Sequence, residues 1–294
     1  MTIDFHTHTF PDAIADRALN KLRAGSHTHT FLDGRLSSLH SSLLRAGMDL
    51  CVVMPVATSA HQVEHINERA ARVRETEKET RITSFGAAHP DDPDWKKHLD
   101  QAAASGLRGI KIHPPYQGVD ADDPRYLRIL SRAGELGLIV MTHAGLDVGL
   151  PGAEQSTPDK LRRALRAAGP VRLICAHMGG WGCWESVCDA LCDTSAMIDT
   201  SFSLGPMTPA GDGYPWTERT LARLEPDAFC AILRAFGAQR VLFGTDSPWS
   251  GQAEEVRAFR SLPLTGEEKA LILGENACRL LPEAAAWLHG AAGC

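Results

Sequence analysis

Eight short runs of β-branched and apolar residues recur along the chain, and most end on polar positions. They are TIDFH from Thr2, LCVVMP from Leu50, RITSFGAAH from Arg81, LRGIKIH from Leu107, LIVMTH from Leu138, VRLICAH from Val171, AMIDTS from Ala196 and RVLFGTD from Arg240. Most are continuous rather than alternating, which suits parallel strands covered on both faces. Between them the apolar positions take helical spacing, as in His61 to Glu79, Pro124 to Gly137 and Thr157 to Gly169. The last of these opens on a Thr-Pro start signal and closes on glycine. Eight alternations of strand and helix predict an α/β fold of the (β/α)8 TIM-barrel type, with its active site at the C-terminal ends of the strands.

No linker or low-complexity segment interrupts the 294 residues, so the expectation is one barrel domain over 1–294. Two connections are long, those between the first and second runs and between the seventh and eighth. The first holds a helix-like PDAIADRALNKL (Pro11 to Leu22); the second is rich in Pro and Gly over Leu204 to Thr220. Long loops on the catalytic face shape substrate pockets.

Polar residues at the ends of the runs change the picture from fold to chemistry. The first run ends in DFHTH, the fourth in KIHP, the fifth in THAG, the sixth in AHMGG and the eighth in GTDSPW. A barrel brings those ends together, so His6, His8, His113, His143, His177 and Asp246 are expected around one centre. One histidine on an apolar strand is usually a hydrogen-bonded core residue; five at strand ends with an aspartate are hard to explain structurally. Residues i and i+2 of a strand share a face, so His6 and His8 are able to hold one ion together. Imidazole with carboxylate suits a borderline divalent metal, and zinc is the expected ion.

The motif HTHTF occurs twice, at His6 to Phe10 and at His27 to Phe31. The first copy follows the apolar TIDF and has a strand to fix both imidazoles. The second follows NKLRAGS and reads as a loop, whose ordering costs conformational entropy. One metal site is therefore expected, on the first copy, with His27 and His29 as loop residues near the mouth. Trp181, Trp184, Trp216 and Trp249 follow the ends of the sixth to eighth runs, and Trp181 and Trp249 are read as lining an apolar substrate pocket. His89, ending the third run, is a weaker candidate for the same face.

Composition removes other classes. The formal charge of −6, without a basic block, argues against nucleic acid as a partner. There is no apolar stretch of roughly 18 residues to cross a bilayer, and no basic, apolar and cleavage-site series of a secretory leader at Met1. The eight cysteines are scattered and read as reduced thiols of a cytoplasmic protein. Cys183, Cys188 and Cys192 lack a C-x-x-C pair, and 188 with 192 is one helix face rather than a zinc site. No G-x-S-x-G, Walker A or G-x-G-x-x-G motif is present.

Together DFHTHTFPD, KIHP, THAG, CAHMGGW, FGTDSPW and GENACRLL resemble the amidohydrolase superfamily over nearly the whole chain. They look most like the amidohydrolase-related branch that includes aminocarboxymuconate-semialdehyde decarboxylase. The resemblance implies a metal held by His6, His8, His143 and Asp246, with His177 and Asp246 exchanging protons. It implies a homodimer, and it leaves two roles for Lys111: cation for a substrate carboxylate together with His113, or carboxylated bridge of a second metal. One metal is the preferred count. The expected reaction is hydrolysis of a small carboxylate-bearing amide, lactone or ester by metal-activated water. The alternative is decarboxylation of an unsaturated or aromatic acid. A TatD-like phosphoesterase fits less well, because Lys111 stands where those enzymes resemble one another in carrying glutamate. A non-catalytic scaffold would have no need of the ligand set.

Overall fold

The computed structural model describes residues 1–205, 207–211 and 223–291. The eight runs form nine strands: β1 (Ile3–Thr7), β2 (Leu50–Val53), β3 (Ile82–Ser84), β4 (Gly86–Ala87), β5 (Gly109–Ile112), β6 (Ile139–Thr142), β7 (Arg172–Cys175), β8 (Met197–Asp199) and β9 (Val241–Leu242). All pairs are parallel, in the orders β1-β2-β3 and β4 through β9. The third run yields two strands because pairing breaks at Phe85. Its ring meets Phe5 edge-on at 5.7 Å and occupies the space beside Gly109, where a Cβ would lie 2.4 Å from it. Any larger residue at 109 would push that ring out of the barrel centre.

Closure comes from β9 against β1. The Phe5 N–H donates to the Phe243 carbonyl at 2.9 Å, the Asp246 N–H donates to that of His6 at 2.8 Å, and Thr7 bridges Ser247 in parallel. Ile3, Phe5, Leu50, Val52, Phe85, Ile139, Met141, Ile174 and Leu242 fill the interior. Leu281, Ala284 and Leu288, which belong to or adjoin the helix Pro282–Ala291, seal one end of it. A second apolar layer lies between strands and helices and includes Ile110, Val140, Leu173 and Ile198. Alternate residues of each strand thus face the lumen and the helices, which is why the runs read as continuous.

The helices predicted from spacing form at Pro124–Glu135 and Pro158–Ala168. The run His61 to Glu79 is instead divided at Thr76, which leaves helical geometry and turns its hydroxyl onto the Val73 carbonyl. The first long connection carries helices Ala15–Ser26 and Leu36–Ala46, and the second HTHTF lies between them. That loop is ordered by the other long connection and by the turn past β9: Thr28 bridges Pro209, the His29 N–H donates to the Thr208 carbonyl, and the Phe31 N–H donates to that of Pro248. Among the described residues no helix is long and apolar enough to cross a membrane.

Candidate active site

The alternation of β1 explains how histidines reach the lumen. Ile3 and Phe5 already face inward, so strict alternation would turn His6 outward. The β1–β2 register shifts between Asp4 and Thr7, and this bulge re-aims the chain so that His6 also lies at the centre. Gly244 makes room, since a Cβ there would come within 2.8 Å of the His6 Cβ. His6 is fully buried, whereas His8 is partly open.

Three donor atoms converge above the apolar lumen. Nε2 of His6 lies 3.1 Å from Nε2 of His8 and 3.6 Å from Oδ1 of Asp246, and the latter is 3.0 Å from His8 Nε2. Ligands about 2.0 Å from one tetrahedral ion are themselves about 3.3 Å apart, so this trio has the spacing of a metal site. His6 Nδ1 donates to Asp199 at 2.7 Å. Its single hydrogen is therefore on Nδ1, and Nε2 offers a lone pair, as a metal requires. Burial, then the charge of Lys111, push the His6 pKa down to about 3, so the imidazole is neutral. Burial alone would raise Asp246, but the hydrogen bond from His8 and the electrostatic pull of the surrounding imidazoles outweigh it, holding the carboxyl near about 2.

Lys111 is 1 % exposed, and its Nζ lies 3.2 Å from His6 Nε2. Burial lowers its pKa to about 8 against the pull of Asp199, Asp246 and Asp147. His177 sits past β7 with a positive φ of 58°, and Asp246 past β9 with 63°. Such backbone is strained for non-glycine residues, and at both positions it points a functional side chain inward where the strand would not. His177 Nε2 faces His143 Nδ1 at 3.1 Å, and the two ring centroids are 4.8 Å apart.

His143 is placed differently from the trio. Its Nε2 donates to the Leu146 carbonyl at 2.8 Å, and its ring stacks on His113 at 4.3 Å. The donor group it joins is His113, His143 and Asp147, while His6 also belongs to a group with His177 and Asp199. Among the described residues no such grouping includes Cys183, Cys188 or Cys192, and all three are free thiols.

The tryptophans separate by role. Trp184 packs on the outer core, and its Nε1 donates to the His177 carbonyl at 3.0 Å, so it steadies His177 rather than lining the mouth. Trp181 is joined by backbone to Ala144 and Leu146, beside His143, and its Nε1 has no acceptor among the described residues. The Trp249 N–H donates to the Asp246 carbonyl. Trp216 lies outside the described residues. His89 lies two residues past β4 and is buried, with Nδ1 accepting the Asp91 N–H.

Sequence reading passed over Asp199, Ser201 and Asp147. The first two close the run AMIDTS at i and i+2, a polar pair on one face that carried the signal. Asp147, four residues beyond His143, has no pattern to mark it. Its Oδ2 lies 3.5 Å from His113 Nε2, and burial raises its pKa to about 6.

Comparisons with known proteins agree with this architecture. An uncharacterized TIM-barrel protein from Bordetella bronchiseptica superposes with a TM-score of 0.74 at 16% identity, over 97% of this chain and 99% of that one. A 5-carboxyvanillate decarboxylase from Novosphingobium aromaticivorans, with bound manganese and a methoxy-hydroxy-nitrobenzoic acid, gives 0.64 at 16% identity, over 95% and 96%. A probable 2-pyrone-4,6-dicarboxylic acid hydrolase from Acinetobacter baumannii gives 0.60 at 15%, over 95% and 98%. At these identities the likeness establishes a shared TIM-barrel fold. No curated protein sequence matches the chain. The family model described as Amidohydrolase matches residues 3–282, and with the converging histidines and aspartate of a metal-dependent barrel enzyme it shows that this chain belongs to the amidohydrolase family.

Proposed function

We propose that the chain is a metal-dependent decarboxylase of an unsaturated or aromatic carboxylic acid, with His6, His8, His143 and Asp246 holding one divalent ion. The observation that carries this reading is a buried ammonium beside a three-donor cluster, Lys111 Nζ at 3.2 Å from His6 Nε2. The carboxylates that pull on Lys111 are already engaged, Asp199 by His6, Asp246 by His8 and Asp147 by the Gly149 N–H, so an anionic substrate is favoured as its direct partner. The likeness to the carboxyvanillate decarboxylase supports decarboxylation over hydrolysis, reversing the order expected from sequence.

An ion at this centre supplies Lewis acidity toward a substrate oxygen. Lys111 and His113 hold the carboxylate, and Trp181 and Trp249 bound the apolar part of the substrate. Loss of carbon dioxide leaves an electron pair on carbon, which takes up one proton. His177, whose bare Nε2 faces the centre, and Asp246 take up that proton from solvent and pass it to the carbon. Imidazole and carboxylate donors suit zinc, the ion expected from sequence, and manganese, which the carboxyvanillate decarboxylase structure holds. A second ion on a carboxylated Lys111 is the lesser arrangement, since carboxylation would remove the ammonium that the carboxylate-binding role requires.

Hydrolysis of a carboxylate-bearing lactone, ester or amide is the second reading, favoured by the likeness to the pyrone hydrolase. Incubating metal-loaded protein in D2O with hydroxybenzoates and with lactones separates the two. Carbon dioxide release with deuterium at the vacated carbon supports the first reading; ring opening without gas supports the second. Free thiols at seven described cysteines fit a cytoplasmic setting. Sedimentation of the purified chain tests the homodimer.

A further inference from the structure

We propose that Asp199 and Ser201 form a positioning pair that holds His6 and His177 as Nδ1–H tautomers and so presents both Nε2 lone pairs to the centre. The inference deepens the metal-centre reading and rests on it. Both residues are fully buried, one ending β8 and the other two positions on.

The hydrogen count around them leaves one solution. Asp199 Oδ2 accepts from His6 Nδ1 at 2.7 Å. Its Oδ1 accepts the backbone N–H of His177 at 2.9 Å, the Ser201 N–H at 3.0 Å and the Ser201 hydroxyl at 2.5 Å. With that hydroxyl hydrogen committed, Ser201 Oγ offers only lone pairs to His6 Nδ1 at 2.9 Å and His177 Nδ1 at 3.0 Å. The Ser201 carbonyl is also 3.0 Å from His177 Nδ1. Every one of these partners of the two Nδ1 atoms accepts, so each Nδ1 carries the hydrogen and each Nε2 is bare.

Two contacts on the far side agree. Lys111 Nζ only donates, and it approaches His6 at Nε2. His177 Nε2 faces His143 Nδ1 at 3.1 Å, and the His143 hydrogen is committed through Nε2 to the Leu146 carbonyl. Two bare nitrogens at that distance repel each other unless a cation or a donor lies between them, which is the arrangement of ligands or of a proton-passing site. One strand end therefore sets the tautomer of imidazoles delivered by two others.

The test is imidazole 15N NMR together with competition titration of manganese on wild type, Asp199→Asn and Ser201→Ala, with folding checked by circular dichroism. In wild type both histidines show a protonated Nδ1 and a bare Nε2. Asp199→Asn is expected to mix the tautomers and weaken metal binding about ten- to hundredfold. Ser201→Ala is expected to disturb His177 more than His6, which keeps Asp199, and to weaken binding by less than about tenfold. A folded Asp199→Asn with wild-type tautomers and affinity overturns the proposal. If that variant does not fold, a wild type whose 15N shifts show a bare Nδ1 on His6 or His177 overturns it instead. Wild type that takes up no manganese yet holds both Nδ1–H tautomers supports the pairing and overturns the metal reading.

Discussion

Lys111 on β5 places its ammonium 3.2 Å from an imidazole nitrogen of His6 on β1, although 105 positions separate them in the chain. An ammonium has no lone pair to accept with, so the contact also fixes which His6 nitrogen is bare. Replacing Lys111 by methionine keeps the length and removes the charge. For a carboxylate substrate KM is expected to rise about ten- to hundredfold, the range of a hydrogen bond to a charged group. Metal content should stay at the wild-type level, and elemental analysis beside steady-state kinetics reads both.

Asp246→Asn removes the only charged member of the trio His6, His8 and Asp246. Loss of tightly held metal is expected, with turnover down by about a thousandfold or more, because several kcal/mol of transition-state stabilisation go with the ion. Retention of one equivalent of metal after dialysis would remove Asp246 from the ligand set.

His177→Asn should behave in the opposite way, leaving metal bound while kcat falls about 10²- to 10⁴-fold, the usual worth of a positioned acid or base. Full turnover by this variant would exclude His177 from proton transfer.

Gln117 ties three parts of the catalytic face together. Its amide donates to the carbonyls of Ala57 and Ala88 and accepts from the His113 N–H and the Tyr126 hydroxyl. Gln117→Leu strands four buried polar groups, a cost of about 3 kcal/mol after partial relaxation. A drop in Tm of about 5–10 °C is expected by calorimetry.

Away from the site, Glu77 receives both terminal nitrogens of Arg108 at 2.7 Å. Burial would raise its pKa, but Arg108 outweighs burial and the net shift is downward. A depressed carboxyl stabilises the fold above its unfolded pKa of about 4.3 and loses that stabilisation as pH falls through the folded value. Glu77→Gln should therefore cost about 1–3 kcal/mol in urea titrations at pH 7 and progressively less below about pH 4.

The sequence by itself determined the β/α alternation, because the apolar period is set locally by what each strand or helix buries. It also placed His6, His8, His113, His143, His177 and Asp246 at the ends of runs, since polar residues begin where the barrel's apolar interior stops. It distinguished the two HTHTF copies, because only one has a strand before it. Tertiary structure decided what depends on contacts between distant segments. The bulge in β1 that turns His6 inward arises from its pairing with β2, and the break at Phe85 comes from packing against Phe5 and Gly109. Asp199 acquires meaning only when β8 is brought under His6 from 193 positions away, and His143 divides its two nitrogens between His177 and Leu146 through local backbone turns. Local periodicity records which face is buried, whereas hydrogen-bond partners are chosen in space.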